Sequence, residues 1–334
     1  MYKGKSVGVV IPSYNEEGFV GEVIDTIPEF VDRVYVIDDC STDGTWSEIQ
    51  RYTVASDQPV NPPSPVADGG SFSEGRIVPI RHETNKGVGG AIKTGYTRAR
   101  KDGIDVTAVM AGDGQMDPAQ LDRLIDPIVE DNAGYAKGNR LLSRGYCEGM
   151  TTWRFSGNAI LSFLTKFASG YWKTTDPQNG YTAISRRALT KLRLADLYDD
   201  YGFANDLLVH LNAHGICVAD VAMPAVYGDE QSTIRYWILI PDLSQLLFRR
   251  FCWRLKTKYL MRDFHPLVFL YGIGTLGTGT SLLSGLYSLL KSSDSRVSRF
   301  WMSALTALIS CLFLLLAMVF DMQESESLEL QHRP

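Results

Sequence analysis

Two uncharged segments near the C-terminus constrain this chain more than any other feature of its sequence. Pro266 to Leu290 contains no charged residue, and neither does Phe300 to Phe320. Each segment exceeds the roughly 20 helical residues that cross the hydrocarbon core of a bilayer. We therefore expect two transmembrane helices, about 266–290 and 300–320, joined by a short loop. The alternative is a buried helical hairpin inside a soluble core.

Basic residues indicate which side of the membrane the rest of the chain occupies. Three basic residues lie in the loop between the two segments, whereas six precede the first one: Arg249, Arg250, Arg254, Lys256, Lys258 and Arg262. Cytoplasmic flanks carry the excess of basic residues, so residues 1–230 and the tail 322–334 are predicted to be cytoplasmic on a cell membrane. Small residues at Gly277, Ser281 and Gly285 favour close packing, either within the hairpin or in a homo-oligomer.

Residues 231–263, ahead of the first segment, combine apolar and basic residues at helical spacing. The apolar positions are Leu243, Leu246, Leu247, Phe251 and Leu255. This pattern predicts an amphipathic helix lying in the membrane interface, in contact with membrane lipid. A surface helix packed on the preceding domain is the alternative.

Residues 1–230 repeat a pattern in which a short apolar strand is followed by a polar turn and a helix. The strands are predicted at Val7 to Ile11, Val34 to Ile37, Ile77 to Ile80, Val106 to Met110, Thr182 to Ser185 and, as the last, Ile216 to Val221. The alternation predicts an α/β domain with a mostly parallel, doubly wound sheet whose polar turns collect at one edge. Residues 55–75, rich in proline and glycine, are predicted to form a flexible surface loop.

Charge and cysteine content exclude some classes of protein. The formal net charge is −5 at pH 7, which argues against nucleic acid as a partner because phosphate backbones bind basic surfaces. The five cysteines form no Cys-x-x-Cys pair. They are typical of reduced thiols, so the globular part is expected in a reducing compartment.

The turn after the Val106 strand carries short acidic and amide side chains. Asp113 and Gln115 stand two residues apart at the carboxyl end of that strand, where open α/β sheets bind their ligands. Such a pair of oxygen donors can share one Mg²⁺ or Mn²⁺ with a substrate diphosphate. The alternative is a plain turn in which Asp117 and Pro118 begin the next helix.

Five segments, taken in order, resemble the motifs of the inverting GT-A glycosyltransferases of family 2. They are Pro12 to Glu17, Asp38-Asp39, Asp43 to Thr45, Asn85 to Gly87 and Asp113 to Gln115. With Arg140, Arg154 and the two apolar segments added, the chain resembles the polyprenyl-phosphate sugar synthases, of which dolichyl-phosphate mannose and glucose synthases are the known kind. The resemblance covers about residues 5–230 and implies a GT-A, Rossmann-like fold.

The resemblance implies which residues hold the nucleotide sugar. The set is Pro12, Tyr14, Asn15, Glu16, Ile37, Asp38, Asp39, Lys86, Gly87, Ala111, Gly112 and Asp113. Within it, Pro12, Tyr14 and Glu16 would border the base. Ile37 would lie beside the base, and Asp39 would bind the ribose hydroxyls. Helix capping by Ser13 and Asn15, and a simple turn at Asp38 and Asp39, stay open as alternatives.

The metal motif of the family departs from its usual form here. The family has Asp-x-Asp-x-Gln, and this chain has Ala111 at the first position, which leaves Asp113 and Gln115 as implied ligands of Mg²⁺ or Mn²⁺. One carboxylate fewer is expected to weaken metal binding. The donor diphosphate would then supply most of the remaining ligands.

The resemblance also implies an acceptor site. Arg140 and Arg154 stand where the family keeps two arginines, and with Asn158 they are expected to bind the acceptor phosphate. A phosphate monoester is largely ionised near pH 7, since its second pKa is about 6, so its oxygen needs no general base. Asp206 occupies the position of a catalytic base in relatives with soluble acceptors, or is simply a carboxylate at a helix N-terminus. The implied catalytic set is therefore Asp113, Arg140, Arg154 and Asp206.

Together these features predict a membrane-anchored hexosyltransferase. It would move one hexose from a UDP- or GDP-sugar to polyprenyl or dolichyl phosphate with inversion, supplying a lipid-linked sugar for glycan or protein glycosylation. The alternatives are a transferase for another glycolipid or polysaccharide, and a membrane protein that binds nucleotide sugar without catalysis. Only two spans and no Gln-x-x-Arg-Trp motif argue against a processive polysaccharide synthase.

Overall fold

The computed structural model describes residues 1–56, 75–142, 152–224, 236–290 and 296–332 of the 334-residue chain. These residues form two compact units. One comprises Met1–Arg250 and Leu328–Pro334, and the other comprises Phe251–Ser327. Most of the loop predicted at 55–75 lies outside the described residues.

The first unit is built on a mixed, mostly parallel β-sheet. Its eight described strands are β1 (Val7–Ser13), β2 (Arg33–Asp38), β3 (Ile77–Arg81), β4 (Val106–Val109), β5 (Tyr135–Asn139), β6 (Thr182–Ser185), β7 (Val218–Ala222) and β8 (Glu329–His332). They lie in the order β3-β2-β1-β4-β6-β5-β7-β8. Strand β6 runs antiparallel to both neighbours, and every other pair is parallel. The predicted α/β fold class is confirmed.

Helices of the first unit accompany these strands. They are α1 (Val20–Thr26), α2 (Thr45–Ser56), α3 (Gly87–Lys101), α4 (Leu121–Val129), α5 (Thr152–Ser169), α6 (Arg186–Lys191) and α7 (Phe203–Ala213), followed by α8 (Tyr236–Lys256), which continues into the second unit. Helix α3 packs closely on β1, because a Cβ at Gly95 would overlap the side chain of Val10.

Both faces of the sheet are buried. Successive side chains of a strand point to opposite faces, and in β2 the residues Val34 and Val36 join one hydrophobic cluster while Tyr35 and Ile37 join the other. A sheet covered on both sides favours apolar residues at most positions of its central strands. This explains why these strands appear in the sequence as continuous apolar runs.

Two strands were not expected from the sequence. Strand β5 contains the buried polar residues Lys137 and Asn139, and β8 follows the second apolar segment. The stretch predicted as the last strand, Ile216 to Val221, corresponds to β7 and pairs with β8 in parallel register. The prediction that this strand is the last one was wrong, because β8, from the tail 322–334, follows it in the chain and completes the sheet.

The second unit contains two long helices, α9 (Leu267–Leu290) and α10 (Arg296–Glu326). Both are long and apolar enough to cross a membrane. Only 22% and 11% of their most apolar windows are buried, which disfavours a hairpin in a soluble core. The predicted small residues pack within this hairpin: a Cβ at Gly277 would overlap Ser310, and the Ser303 hydroxyl donates to the Ser281 carbonyl at 2.6 Å.

An ion pair is buried inside the second unit. The Arg254 guanidinium donates to both carboxylate oxygens of Asp321, at 2.8 and 2.7 Å, and the Tyr259 hydroxyl donates to the same carboxylate at 2.6 Å. Arg254 is fully buried and Lys258 nearly so. These two basic residues therefore contact protein groups, whereas the neighbouring Lys256 is exposed.

Helix α8 is present as predicted, but its apolar side is buried by protein. Leu243 and Leu247 are each 2% exposed, and Leu243 and Leu246 lie against Gly202 within the first unit. Phe248, in contrast, is exposed. The N-terminal half of α8 therefore makes the contacts expected of the alternative, a surface helix packed on the preceding domain. A role of α8 at the membrane interface stays a prediction.

Candidate active site

The polar turns after β1, β2 and β4 meet at one edge of the sheet, as parallel neighbours require. The Asp39 N–H donates to the Ser13 carbonyl at 2.9 Å, and the Gly112 N–H donates to the Pro12 carbonyl at 3.3 Å. Gly112 also has no room for a side chain, since a Cβ would lie 2.7 Å from the Ser13 hydroxyl. Three of the segments implied to bind the nucleotide sugar are thus in direct contact.

Asp38 and Asp39 are both buried, and each has a basic partner at the end of β3. The Asp38 carboxylate lies 3.0 Å from Arg81 Nε, and the Asp39 carboxylate lies 2.6 Å from His82 Nδ1. Asp39 also accepts from the Lys86 N–H at 2.9 Å, just before α3 begins. The two acids therefore do more than form a turn, because Asp39 fixes the start of α3.

Sequence reasoning missed His82 and Arg81. His82 bridges two elements, since its second ring nitrogen lies 2.9 Å from the Thr94 hydroxyl on α3. The available signal was the Arg81-His82 pair directly after the predicted strand Ile77 to Ile80. Using it required the order of the strands in the sheet.

Asn15 does not cap α1. It has a positive φ of 56°, and its side-chain oxygen accepts from the Thr42 N–H at 2.9 Å while its own N–H donates to Ser41 Oγ at 3.0 Å. The N-cap of α1 is Phe19, which makes no side-chain capping bond. Asn15 therefore joins the loops after β1 and β2, and the capping alternative was wrong.

The other residues implied for the nucleotide sugar differ in accessibility. Tyr14 is 47% exposed beside these loops, and Lys86 is also exposed. The Glu16 N–H donates to Thr45 Oγ1 at 2.8 Å, which holds that turn against the start of α2. Ile37, in contrast, is fully buried in a hydrophobic cluster. The edge thus offers polar and aromatic groups to a ligand, and Ile37 supports it from within the core.

The loop after β4 presents Asp113 and Gln115. The Asp113 carboxylate accepts from the Gln115 N–H at 3.0 Å, and Gly114 between them has a φ of 72°, which suits glycine. Asp117 accepts from the Ala119 N–H at 2.9 Å and caps a 3₁₀ turn at Pro118–Gln120. Asp117 therefore starts the next helical turn as expected, while Asp113 and Gln115 face a cavity.

That cavity, of about 340 Å³, joins the loops after β4 and β5. Asp113 and Gln115 line it together with Arg140, which follows β5. Gln178 and Asn179 add side-chain amides to its wall. A carboxylate and amides suited to a cation or a sugar thus share one cavity with a guanidinium suited to an anion.

Arg140 is held by Asp176 through two parallel contacts. Its Nε and Nη2 atoms lie 2.8 and 2.9 Å from the two carboxylate oxygens, and the Arg140 N–H donates to Asp176 at 3.2 Å. Burial raises the pKa of Asp176, but its bonds to Arg140 outweigh burial and leave that pKa below its usual value. The sequence showed Asp176 only within a polar turn, and its pairing depends on the antiparallel strand β6 that follows.

Buried polar groups fix the segment that carries Asp176. Lys137 Nζ lies 3.2 Å from the Asp220 carboxylate and donates to the Asp176 carbonyl at 3.0 Å. Asp220 in turn accepts from the Asn139 amide at 2.5 Å and from the Thr175 N–H at 2.9 Å. Lys137, Asn139 and Asp220 are all at most 1% exposed. The segment that positions the Arg140 guanidinium is therefore attached to buried polar groups of β5 and β7.

Asp206 is buried in the first turn of α7. Its carboxylate lies 2.8 Å from Arg250 Nε on α8 and accepts from the Tyr198 N–H at 2.8 Å. Burial raises the pKa of this carboxyl, and Arg250 opposes that shift. Asp206 is not among the residues that line the cavity. These contacts match a carboxylate that joins α7 to α8.

Arg154 and Asn158 lie on α5, which spans Thr152–Ser169 and so places them on one helix face as predicted. Their side chains lie outside the described residues. In the described ranges, no three His, Cys, Asp or Glu side chains come close enough to hold a metal ion. Asp113 and Gln115 still fit a hard divalent cation that takes its other oxygens from a diphosphate.

Similar proteins provide an independent comparison. The chain is 29% identical to UDP-N-acetylglucosamine–dolichyl-phosphate N-acetylglucosaminyltransferase of Methanococcus voltae, over 67% of this chain and 87% of that protein. It is 28% identical to polyprenol monophosphomannose synthase of Mycolicibacterium smegmatis, over 64% of this chain and 74% of that one. It is 29% identical to undecaprenyl-phosphate mannosyltransferase of Micrococcus luteus, over 65% and 82% respectively.

Structural similarity supports the same fold. The crystal structure of glucosyl-3-phosphoglycerate synthase from Mycobacterium tuberculosis in complex with phosphoglyceric acid matches with a TM-score of 0.50 and 18% identity, over 75% of this chain and 80% of that one. The model of glycosyl transferase family 2 matches residues 8–193, which is more than half of the chain. The chain therefore belongs to glycosyl transferase family 2.

Proposed function

We propose that this protein transfers one hexose from a UDP- or GDP-sugar to polyprenyl or dolichyl phosphate, with inversion at the anomeric carbon. The observation that carries the proposal is the cavity in which Asp113 and Gln115 lie with Arg140. One wall suits the donor diphosphate with its cation, and the other suits the acceptor phosphate. The names of the three similar proteins, each with a lipid phosphate as acceptor, support the same class of reaction.

The donor binds at the edge formed by the loops after β1, β2 and β4. Asp39, the residue proposed for the ribose hydroxyls, is held in place by His82 and by the start of α3. Mg²⁺ or Mn²⁺, held by Asp113 and Gln115, would neutralise charge on the leaving nucleoside diphosphate. Because Ala111 supplies no carboxylate, the metal depends on the diphosphate for most of its ligands.

The acceptor supplies its own nucleophile. A phosphate monoester is already mostly dianionic near pH 7, given its second pKa of about 6, so its oxygen can attack without a general base. The protein has to hold two anions close together, and Arg140 provides the positive charge for this on the acceptor side. Asp206 is fully buried and paired with Arg250, which suits a structural role in this reaction.

A long-chain lipid substrate requires a membrane location. The two apolar helices α9 and α10 are long enough to serve as the anchor, and the excess of basic residues ahead of α9 supports a cytoplasmic catalytic unit. Strand β8 follows α10 and pairs with β7, so the tail lies on the same side as the catalytic unit. The acceptor phosphate at the membrane surface is then within reach of the enzyme.

The proposal is tested with the full chain in detergent, a short polyprenyl phosphate, and radiolabelled UDP- and GDP-sugars. We expect label from one donor to enter the organic phase, and this transfer to stop when EDTA is added. Arg140→Ala is expected to lower transfer by about 100-fold or more, because it removes a charge that acts on the reacting groups. Arg193→Ala, which changes an 85% exposed arginine, is the matched control. Nucleotide binding without transfer from any donor would overturn the proposal and favour a non-catalytic binding protein.

A further inference from the structure

The C-terminal strand β8 contacts the segment that carries Asp176. It begins at Glu329, three residues after α10 ends at Glu326, and pairs in parallel with β7, with Glu329 opposite Val218. Glu329 is only 8% exposed. A carboxylate is costly to bury unless hydrogen bonds satisfy it, so its partners are informative.

Three consecutive backbone N–H groups bind the Glu329 carboxylate. Trp172 donates to one oxygen at 2.9 Å, and Lys173 and Thr174 donate to the other at 2.6 and 2.9 Å. Gln331, two residues along the same face of β8, donates to the Lys173 carbonyl at 3.1 Å. The Thr174 hydroxyl adds a longer bond to the same carboxylate, at 3.5 Å. Strand β8 therefore holds residues 172–174 mainly by their backbone.

The same segment leads directly to Arg140. After residues 172–174, the Thr175 N–H donates to buried Asp220 at 2.9 Å, and Asp176 then binds the Arg140 guanidinium at 2.8 and 2.9 Å. The five residues 172–176 thus lie between two buried carboxylates, Glu329 at one end and Asp220 near the other. Their conformation sets where the Asp176 carboxylate, and with it the guanidinium, is placed.

We propose that Glu329 is a positioning residue for the acceptor phosphate. Strand β8 fixes residues 172–174, these fix Asp176, and Asp176 orients Arg140 toward the cavity. The inference rests on the proposed function in one respect, that Arg140 binds the phosphate of the lipid. It adds that the strand following the second apolar helix belongs to the acceptor site.

The test compares Glu329→Gln with Leu330→Ala in the full chain. The new side-chain amide would turn an N–H toward the backbone donors and lose at least one of the three bonds, whereas Leu330 is 40% exposed on the same strand. We expect Glu329→Gln to raise the KM for polyprenyl phosphate by about tenfold, as for one lost charged hydrogen bond. The KM for the nucleotide sugar should stay within about twofold, and Glu329→Asp should recover part of the loss. Leu330→Ala should change neither constant.

Hydrogen exchange measures the positioning step without any turnover. Amide protons of residues 172–174 should exchange about tenfold faster in Glu329→Gln, because they lose the carboxylate that protects them, while those of α3 stay unchanged. Equal changes in both KM values, or unchanged exchange at 172–174, would overturn the positioning role. If the unaltered protein transfers no sugar to any lipid phosphate, the proposed function fails and takes the acceptor role of Glu329 with it. Faster exchange would then identify Glu329 as a structural residue alone.

Discussion

The sheet edge proposed to bind the donor, at the loops after β1, β2 and β4, and the edge proposed to bind the acceptor, around Arg140, are assembled in different ways. At the donor edge, the loops after β1, β2 and β4 contact one another through backbone bonds and short polar side chains, as between Asp39 and Ser13. At the acceptor edge, Arg140 depends on buried charges from distant parts of the chain, including Asp220 and Glu329. The arrangement at the first edge can be recognised from local sequence motifs. The arrangement at the second edge can be recognised only when the order of the strands in the sheet is known.

The largest expected effect is at the donor edge. Asp113→Asn removes the only carboxylate of the implied metal motif, and we expect kcat to fall by about 100- to 1000-fold, since the metal stabilises charge on the leaving group. Transfer of label to polyprenyl phosphate measures the change. Glu130→Gln, at an exposed carboxylate that pairs with Lys3, serves as the control. Full activity in Asp113→Asn would remove the metal from the mechanism.

At the acceptor edge, Asp176→Asn is expected to act mainly on the lipid substrate. The change removes one of the two contacts that orient the Arg140 guanidinium, so the KM for polyprenyl phosphate should rise by about tenfold to 150-fold, consistent with 1.5–3 kcal/mol for a bond to a charged group. The KM for the nucleotide sugar should change little. A larger effect on the donor than on the acceptor would contradict the assignment of the two edges.

Ala111→Asp tests the departure from the family motif. Restoring the missing carboxylate should tighten Mn²⁺ binding by about tenfold in the presence of the nucleoside diphosphate, because carboxylate number tunes the affinity of oxygen-ligand sites. Titration of Mn²⁺ against activity measures this, with Ala111→Asn as the uncharged control. An unchanged metal requirement in Ala111→Asp would place the cation away from this loop.

The smallest expected effect concerns stability and pH. Because the pKa of Asp176 is lowered in the folded protein, its ion pair stabilises the fold at any pH above the ordinary pKa of aspartate, about 3.9. This stabilisation is lost as the pH falls through the lower pKa of the folded state. Thermal unfolding of the unaltered protein and of Asp176→Asn should therefore differ by a constant amount from pH 7 down to about pH 4 and converge below it. Asp196→Asn, which changes a half-exposed aspartate, is the comparison variant. A difference that shrinks already between pH 7 and 5 would contradict the lowered pKa.

The sequence predicted the donor half of the sheet to within two residues at most strand ends. Strands such as Val34 to Ile37 are apolar at every position because both faces are covered, so they stand out. The motif residues follow directly after these strands, and parallel packing brings them together without further information. His82 was missed because its role depends on β3 lying next to β2.

The acceptor half was harder to predict for a physical reason. Strand β5 carries Lys137 and Asn139 inside the protein, where Asp220 and the backbone of residues 175 and 176 are their partners. Strand β8 begins with Glu329, a residue that usually indicates exposure. Buried polar residues of this kind give no hydrophobic pattern in the sequence. Their partners are also distant from them along the chain, so the pairing cannot be recognised locally.

The position of β8 in the chain has a consequence for biosynthesis. Because β8 comes after α9 and α10, the ribosome makes both apolar helices before the sheet can be completed. Until then the edge of β7 is unpaired and residues 172–174 lack their carboxylate. Residues 172–174 therefore reach their final conformation only after both apolar helices have been synthesised. Folding of this part of the sheet thus depends on synthesis of the two helices.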